Sequence, residues 1–347
     1  MADDKSEQSG APAAAGKPAA TPYPELFGNV RITGDLLTAD ATRPWFAGVP
    51  ADKPHHQYVI WLGCQMLRTA HLAQTLDDVM KHFSVDQVML GGPSNCCGTV
   101  HHGRGDVAIG ESMTRQTVSK FDAFTPEQLL YWCPSCDNHL RIKGEEFSTE
   151  TTRNRISVIE FLSRAASKEK FTVDVPLRVA VHMHHGFVEQ DKDTAGIKNL
   201  LSMIPGLELI DMPQLEDIGR HCSDGTLKKY GKEKFLTELA EWIAEAKRRG
   251  ADRVISVYHS CHRQLVIAQL GKRAEDRVGV ENYLTLMARS LSLPLREDVF
   301  TKLTSLGDVD EIMEAMSDRI QKAGIDPGRA RRALTAHFAS NGPPNKA

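Results

Sequence analysis

Short apolar segments alternate with longer amphipathic ones along most of this chain, beginning at Gln57. Six runs of mostly apolar residues, rich in β-branched and aromatic side chains, are predicted as strands: residues 58–62, 87–90, 129–132, 177–181, 207–210 and 253–257. Runs of this length separated by helix-length segments are typical of strand–helix–strand units. The pattern therefore predicts an α/β fold built on parallel sheets.

Cysteines follow each of the first three predicted strands. They are Cys64, the adjacent pair Cys96 and Cys97 before Gly98, and Cys133 with Cys136 in the motif CPSC. The carboxyl ends of parallel strands meet at one edge of a sheet, which is where open α/β sheets bind their ligands. We therefore expect these five thiols to form one site.

Five thiols in one spaced set, out of seven cysteines in the chain, indicate a metal site rather than disulfide bonds. Structural zinc takes four ligands, whereas a cluster of several irons can use a fifth. The adjacent pair Cys96-Cys97 favours a cluster, because neighbouring residues reach two different irons more easily than one small ion. Zinc stays the alternative at this point.

The spacing of these cysteines resembles the cysteine-rich CCG domain of iron–sulfur oxidoreductases, in particular the B-type subunit of heterodisulfide reductase. The resemblance implies two tandem Rossmann-like CCG modules with parallel sheets and a cluster site at the carboxyl ends of the strands. It also implies a non-cubane [4Fe–4S] cluster at which a disulfide is reduced or formed. The ligands implied are Cys64, Cys96, Cys97, Cys133 and Cys136.

The second half of the chain repeats this layout with different residues. Aligning YHSCHRQL with WCPSCDNHL places Cys261 at the position of Cys136 and Tyr258 at that of Cys133. The thirty-five residues between Cys222 and Tyr258 then equal the number between the first adjacent pair and its CPSC motif. We therefore expect a second CCG module in which most of the cysteines are replaced.

This degenerate module offers a mixed nitrogen and sulfur ligand set that can hold a tetrahedral zinc or a single iron. Three histidines, His182, His184 and His185, are expected to converge with His221, Cys222 and Cys261, and His185 or a neighbour stands in place of the first cysteine. His259 or His262 are further candidates. An altered iron–sulfur cluster, or a decayed module kept only for its fold, are the alternatives.

Four side chains are candidate proton donors: His101 and His102 beside the first site, and His185 and Tyr258 in the second. Histidines that are merely solvated in a loop are the alternative interpretation of the first pair. A catalytic assignment for any of the four rests on their proximity in sequence to the predicted ligands.

The chain divides into four expected segments: a disordered tail and arm at 1–45, the first module at 46–172, the degenerate module at 173–293, and a helical extension and tail at 294–347. Within the extension, apolar periodicity predicts one helix in 308–324 and another in 326–338.

Charge and hydropathy exclude several classes of partner. The 347 residues include 42 Lys plus Arg and 45 Asp plus Glu, so nothing favours nucleic acid or an anionic membrane as the main partner. No run of about eighteen apolar residues is present, and the N-terminus lacks the apolar core of a secretory signal. We expect a cytoplasmic protein with no membrane span.

Together these features predict an iron–sulfur subunit of a cytoplasmic heterodisulfide-reductase-like complex. It would transfer electrons between a partner subunit and a small thiol or disulfide. The sequence has no ferredoxin-type CxxCxxCxxxCP motif, so the resemblance implies ferredoxin-like and flavoprotein partner subunits. The alternatives are an electron relay or redox sensor that docks a partner without its own substrate, and a zinc-stabilised scaffold.

Overall fold

The computed structural model describes residues 22–39, 43–52, 54–143, 146–183, 190–213, 222, 227 and 230–338. Its first sheet has five parallel strands in the order β1-β3-β2-β4-β5. These strands are β1 (Trp45–Phe46), β2 (Tyr58–Gly63), β3 (Gln87–Gly91), β4 (Gln128–Tyr131) and β5 (Arg155–Ser157).

The second sheet has four parallel strands in the order β7-β6-β8-β9. They are β6 (Arg178–His182), β7 (Glu208–Leu209), β8 (Arg253–Ser256) and β9 (Gly279–Asn282). This order matches β3-β2-β4-β5 of the first sheet. The α/β class with parallel sheets is confirmed, whereas the Rossmann-like description of the modules and their boundaries stay predictions.

Helices connect the strands of both sheets. Those of the first half are α1 (Tyr23–Leu37), α2 (Ala70–His82), α3 (Thr99–His102), α4 (Val107–Asp122), α5 (Pro134–Lys143), α6 (Glu150–Arg153) and α7 (Val158–Ala165). Those of the second half are α8 (Gln190–Ser202), α9 (Lys232–Arg248), α10 (His259–Ile267) and α11 (Tyr283–Ser290). Four more complete the chain: α12 (Val299–Leu306), α13 (Val309–Ala315), α14 (Ser317–Lys322) and α15 (Pro327–His337).

Side chains of β2 alternate between two hydrophobic cores, because successive residues of a strand point to opposite faces of the sheet. Ile60 and Leu62 belong to a large core that continues into the second sheet and the C-terminal helices. Val59 and Trp61 belong to a smaller core that also contains two of the five predicted cluster cysteines. Both faces of the sheet are covered, which explains why β2 is apolar throughout.

The N-terminal arm is a helix in the structure, not an irregular segment. In α1 the side chains of Val30, Ile32 and Leu36 are buried, and the helix packs against α15 and a 3-10 turn at Gln65–Thr69. Thr33 Oγ1 lies 2.6 Å from Nδ1 of His337. The apolar residues of α1 are therefore covered because α1 and α15 pack against each other. Local periodicity does not reveal this pairing.

The C-terminal extension is helical, as expected, but its first predicted helix is divided into α13 and α14. The break lies at Met316, whose φ of −103° and ψ of 1° interrupt the helix. Asp308 caps α13 by accepting bonds from the backbone of Asp310 and Glu311. Among the described helices, none combines the length and hydropathy needed to cross a bilayer.

Candidate metal centre

The structure brings the five predicted cysteines together at the carboxyl edge of the first sheet. Their thiols form a continuous row of hydrogen-bonded neighbours, in the order Cys64, Cys96, Cys97, Cys136 and Cys133. We call this set the thiol row. Four of its members are buried, and Cys133 is partly exposed. Residues up to seventy-two positions apart in sequence thus share one place in the fold.

A buried asparagine fixes the loop that leads to the adjacent pair. Asn95 donates from Nδ2 to the carbonyl oxygen of Gly91 at 2.8 Å and to that of Phe46 at 3.1 Å. Its own backbone carbonyl oxygen accepts a bond from Trp61 Nε1 at 2.8 Å. The loop is therefore tied to strands on both sides before Cys96 begins.

Helix α4 holds the carbonyl groups of the adjacent pair. Thr114 Oγ1 donates to the carbonyl oxygen of Cys97 at 2.8 Å, and Thr117 Oγ1 donates to that of Cys96 at 2.9 Å. Both threonines are buried. Sequence reasoning did not single them out, because threonines on one face of a helix give no signal of which backbone they will meet.

The glycine after the pair is required by close packing of the backbone. Gly98 has a φ of 82°, and a Cβ built on it would lie 2.2 Å from the carbonyl oxygen of Gly110 in α4. L-residues rarely adopt such a φ, and no side chain fits that space. This geometry gives the glycine of the CCG motif a physical role, since it lets α4 approach closely enough to hold the pair.

The CPSC motif turns the chain from β4 into α5. The Cys133 sulfur accepts a bond from the backbone N–H of Cys136, as side chains that cap helices do. Pro134 occupies the first helical position, where no N–H is needed. Gly63 packs closely against this turn. A Cβ at Gly63 would lie 3.2 Å from the Cβ of Cys133 and 3.3 Å from the Cys136 sulfur.

The pKa values of the thiols differ along the thiol row. Hydrogen bonds from Cys136 and Cys96 lower the pKa of Cys97 to about 6. The bond from Cys136 is also the main cause that holds the pKa of Cys133 well below its usual range. Hydrogen bonding to Cys96, followed by burial, raises the pKa of Cys64. Thiolate character is therefore favoured at Cys97 and Cys133 before any metal neutralises the charge.

The spread of the sulfurs bears on the kind of metal. Around one tetrahedral zinc, with Zn–S bonds of about 2.3 Å, the sulfurs lie about 3.8 Å from one another. Within the described part of the chain, three potential ligand atoms lie within 4.8 Å of one another at two places, and neither is in the thiol row. Five soft thiolates exceed the four ligands of a structural zinc, and they fit a cluster, in which different cysteines bind different irons.

A second group of potential ligands lies in the second half of the chain. Ligand atoms of His182, Cys222 and Cys261 lie within 4.8 Å of one another, and all three residues are buried. The thiols of the two cysteines are hydrogen-bonded, as are those of Cys97 and Cys136 in the first half. Burial is the main cause that raises the pKa of Cys222 well above its usual value.

This group differs in part from the set expected from sequence. Cys222 and Cys261 meet, and of the candidate histidines it is His182, the last residue of β6, that lies beside them within the described residues. His182 pairs with Ser256 in the sheet as Trp61 pairs with Tyr131, so it takes the place of that tryptophan rather than of a cysteine. The expected ligands His185 and His221, and the neighbouring His184, lie outside the described residues.

Tyr258, the residue aligned with Cys133, is hydrogen-bonded to a buried carboxylate. Its hydroxyl donates to Asp193, which also accepts a bond from Ser157 at the end of β5. Burial raises the pKa of Asp193 to about 6 in spite of these two donors. Burial, followed by the charge of Asp193, raises the pKa of Tyr258 well above its usual value. The structure thus gives Tyr258 a partner that bridges the two halves of the chain.

The two histidines expected beside the first site pack against other rings. His101 is buried, with its ring centroid 3.8 Å from that of Tyr23 and 5.6 Å from that of Phe27 in α1. The His102 ring lies 4.7 Å from that of His139. Burial lowers the pKa of His101. Their role as proton donors therefore stays a prediction.

A further histidine pair meets a carboxylate between α2, α10 and α12. His262 Nε2 lies 2.7 Å from Oδ2 of Asp298, and His71 Nδ1 lies 3.7 Å from its Oδ1. Asp298 also caps α12 by accepting a bond from the backbone N–H of Thr301 at 3.0 Å. Asp298 thus pairs with His262 of the second half and with His71 of the first half, and we interpret this group as structural.

Comparison with known proteins identifies the domain type. The CCG cysteine-rich domain matches this chain twice, at residues 58–141 and 181–266. The chain therefore contains two copies of that domain, as expected. The thiol row lies in the first copy, and His182, Cys222 and Cys261 lie in the second.

The D-type subunit of dihydromethanophenazine:CoB–CoM heterodisulfide reductase is a weakly similar relative. The protein from Methanosarcina acetivorans is 25% identical over 261 residues, covering 70% of this chain and 60% of that protein. The protein from Methanosarcina barkeri is 23% identical over 235 residues, covering 64% and 56%. The chain thus spans less than two thirds of these relatives. The expected similarity to heterodisulfide reductase is confirmed, and resemblance to the B-type subunit in particular stays a prediction.

A solved structure of a putative transcriptional regulator from Clostridium difficile 630 aligns with 83% of this chain and 85% of its own, at 13% identity. The TM-score of that alignment is 0.21, too low to indicate a shared fold.

Proposed function

Because the chain contains two CCG domains, we propose that it is the iron–sulfur subunit of a heterodisulfide-reductase-like complex. In this proposal the thiol row binds a non-cubane [4Fe–4S] cluster. The complex moves electrons between partner subunits, ferredoxin-like and flavoprotein in type, and a small thiol or disulfide. The observation that carries the proposal is the convergence of five cysteines at one place in the fold, one more than a structural zinc binds.

The bound cluster would supply electrons one at a time to a sulfur–sulfur bond. Cleavage of one disulfide then consumes two electrons, delivered through the partner subunits, and two protons, and it releases two thiols. The chain's own residues shape the access to this chemistry. Cys133 is the partly exposed end of the row, so we place the substrate on its side. Asn95, Thr114 and Thr117 hold the backbone around the buried pair Cys96 and Cys97.

The test is metal analysis and spectroscopy on protein purified without oxygen. The wild-type chain should contain several irons with matching acid-labile sulfide, and it should give an EPR signal from the cluster. Cys97→Ser should lose or convert the cluster and abolish reduction of a small disulfide by a chemically reduced viologen dye. Cys222→Ser is the matched control, which should keep the iron of the thiol row. An unchanged iron content and EPR signal in Cys97→Ser would rule out the assignment.

The second CCG domain is proposed to bind one further metal ion, zinc or iron, through His182, Cys222 and Cys261. One histidine nitrogen and two cysteine sulfurs suit either metal. Cys222→Ser and Cys261→Ser should each remove about one metal ion per chain while the cluster iron stays. If neither substitution changes the metal content, the second domain is a decayed module kept for its fold.

One observation favours an electron relay as the second candidate function. The four buried thiols are at most 6% exposed, which leaves little room for a substrate to reach an iron other than through Cys133. A relay would hold the full cluster, accept electrons from a chemical reductant and fail to reduce any small disulfide. A zinc-stabilised scaffold would instead contain zinc without iron or acid-labile sulfide.

A further inference from the structure

The second half of the chain supplies a histidine to the thiol row of the first half. His259 is the first residue of α10, directly after β8 and Tyr258. Its ring lies within hydrogen-bonding reach of the sulfur of Cys133, which follows β4 in the first sheet. The contact joins residues 126 positions apart, and it reaches the one member of the row that is partly exposed.

The surroundings of His259 hold the ring in one orientation. Only 3% of the residue is exposed, and its ring meets that of Trp132 edge-on, with centroids 6.2 Å apart and planes at 70°. Trp132 is itself buried and precedes Cys133 in the chain. Burial and this ring contact restrict the orientations of the imidazole, so the ring stays beside the Cys133 sulfur.

The second ring nitrogen argues against a purely structural role. Nδ1 of His259 is buried and has no hydrogen-bond partner among the described residues. Leaving a buried polar group unpaired costs about 1–3 kcal/mol. An apolar side chain of similar size would fill the same space without that cost. The bond that the ring makes through its other nitrogen is therefore the feature that needs a histidine here.

An N–H bond to a cysteine sulfur changes the redox behaviour of a bound cluster. It stabilises negative charge on the sulfur, and the reduced cluster has one more negative charge than the oxidised one. Hydrogen bonds to sulfur are among the factors that set the reduction potentials of iron–sulfur clusters. Because Cys133 is partly exposed, a hydrogen-bond donor to its sulfur acts on the side of the cluster that is nearest to the proposed substrate.

We propose that His259 is a positioning residue that raises the reduction potential of the cluster by donating a hydrogen bond to the Cys133 sulfur. The proposal rests on the proposed function, because it requires the thiol row to hold a cluster. It makes the second CCG domain part of the redox centre of the first. A decayed module would then still have a function, as the donor of this one bond.

The test compares two substitutions at His259, one without and one with a hydrogen-bond donor. His259→Leu fills the volume without a donor, whereas His259→Gln offers an amide N–H at a distance from the backbone similar to that of histidine Nε2. EPR-monitored redox titration should show a lower midpoint potential for His259→Leu, at full iron content. His259→Gln should restore most of the wild-type value. Thermal unfolding of both variants checks that they are folded.

Two outcomes separate this inference from the proposed function. If wild-type protein purified without oxygen contains no iron, the proposed function fails and the inference fails with it. If all three proteins contain the cluster and His259→Leu titrates at the wild-type potential, only the inference fails. A potential lowered equally in the Leu and Gln variants also overturns it, because packing rather than the donated bond would then be responsible.

Discussion

Substitution of Gly98 by alanine probes the link between backbone packing and the thiol row. A methyl group at this position would lie 2.2 Å from the carbonyl oxygen of Gly110, 2.9 Å from its carbonyl carbon and 3.0 Å from its Cα. These are backbone atoms of α4, and the same helix holds the carbonyls of Cys96 and Cys97 through its threonines. The clash therefore cannot be relieved by turning one flexible side chain.

The expected loss of stability has two parts. Forcing an L-residue into the left-handed conformation costs about 1–2 kcal/mol. Overpacking against fixed neighbours costs about a further 1–3 kcal/mol. Alanine also reduces the entropy of the unfolded chain, which returns about 0.4–1 kcal/mol. Gly98→Ala should therefore lower the free energy of unfolding by about 1–4.6 kcal/mol.

Gly105 provides a matched control in the same loop region. Its φ is 90°, close to the 82° of Gly98, but a Cβ there would meet nothing within 4 Å. Gly105→Ala thus includes the conformational cost and the entropy gain without the clash. The difference between the two variants isolates the packing contribution, about 1–3 kcal/mol.

Urea unfolding followed by circular dichroism measures both variants against wild type, with the slope of the transition checked for two-state behaviour. If the thiol row holds a cluster, Gly98→Ala should also contain less iron per chain, whereas Gly105→Ala should keep it. Equal losses of stability in the two variants, with full iron in both, would refute the reasoning.

Two further predictions concern the core of the fold. Burial raises the pKa of Asp193 to about 6 in the folded state, so the folded protein binds this proton more tightly than the unfolded chain does. The protonated carboxyl therefore stabilises the folded state at low pH, and this stabilisation is lost as the pH rises through about 6. Asp193→Asn lacks this ionisation, so its free energy of unfolding minus that of wild type should rise by up to about 3 kcal/mol between pH 4 and pH 8. Urea unfolding at several pH values measures this difference, and a difference independent of pH would contradict the prediction. Leu286 of α11 is fully buried, so Leu286→Ala should cost about 2–5 kcal/mol in thermal unfolding. Leu295 is 55% exposed, and Leu295→Ala should change stability by less than about 0.5 kcal/mol, so similar losses at both sites would show that burial is not the cause.

Sequence patterns predicted six strands because these are apolar runs with β-branched and aromatic residues. Of the three strands that were not predicted, β1 has only two residues, and β5 and β9 consist mostly of polar residues and glycine, so none shows an apolar run. The same limit applies to α1, where the apolar residues look irregular until α15 is packed beside them. Short elements acquire their conformation from neighbours that are distant in sequence.

The sequence by itself determined that five cysteines share one site, since each follows a strand and parallel strands bring their carboxyl ends to a common edge. It also determined the equivalence of Cys222 and Cys261 with Cys97 and Cys136, because spacing is preserved between repeated units. Only the tertiary structure decided which histidines join these thiols. His182 is placed by the pairing of β6 with β8, and His259 by the packing of one half of the chain on the other. No periodic rule relates residues across such contacts.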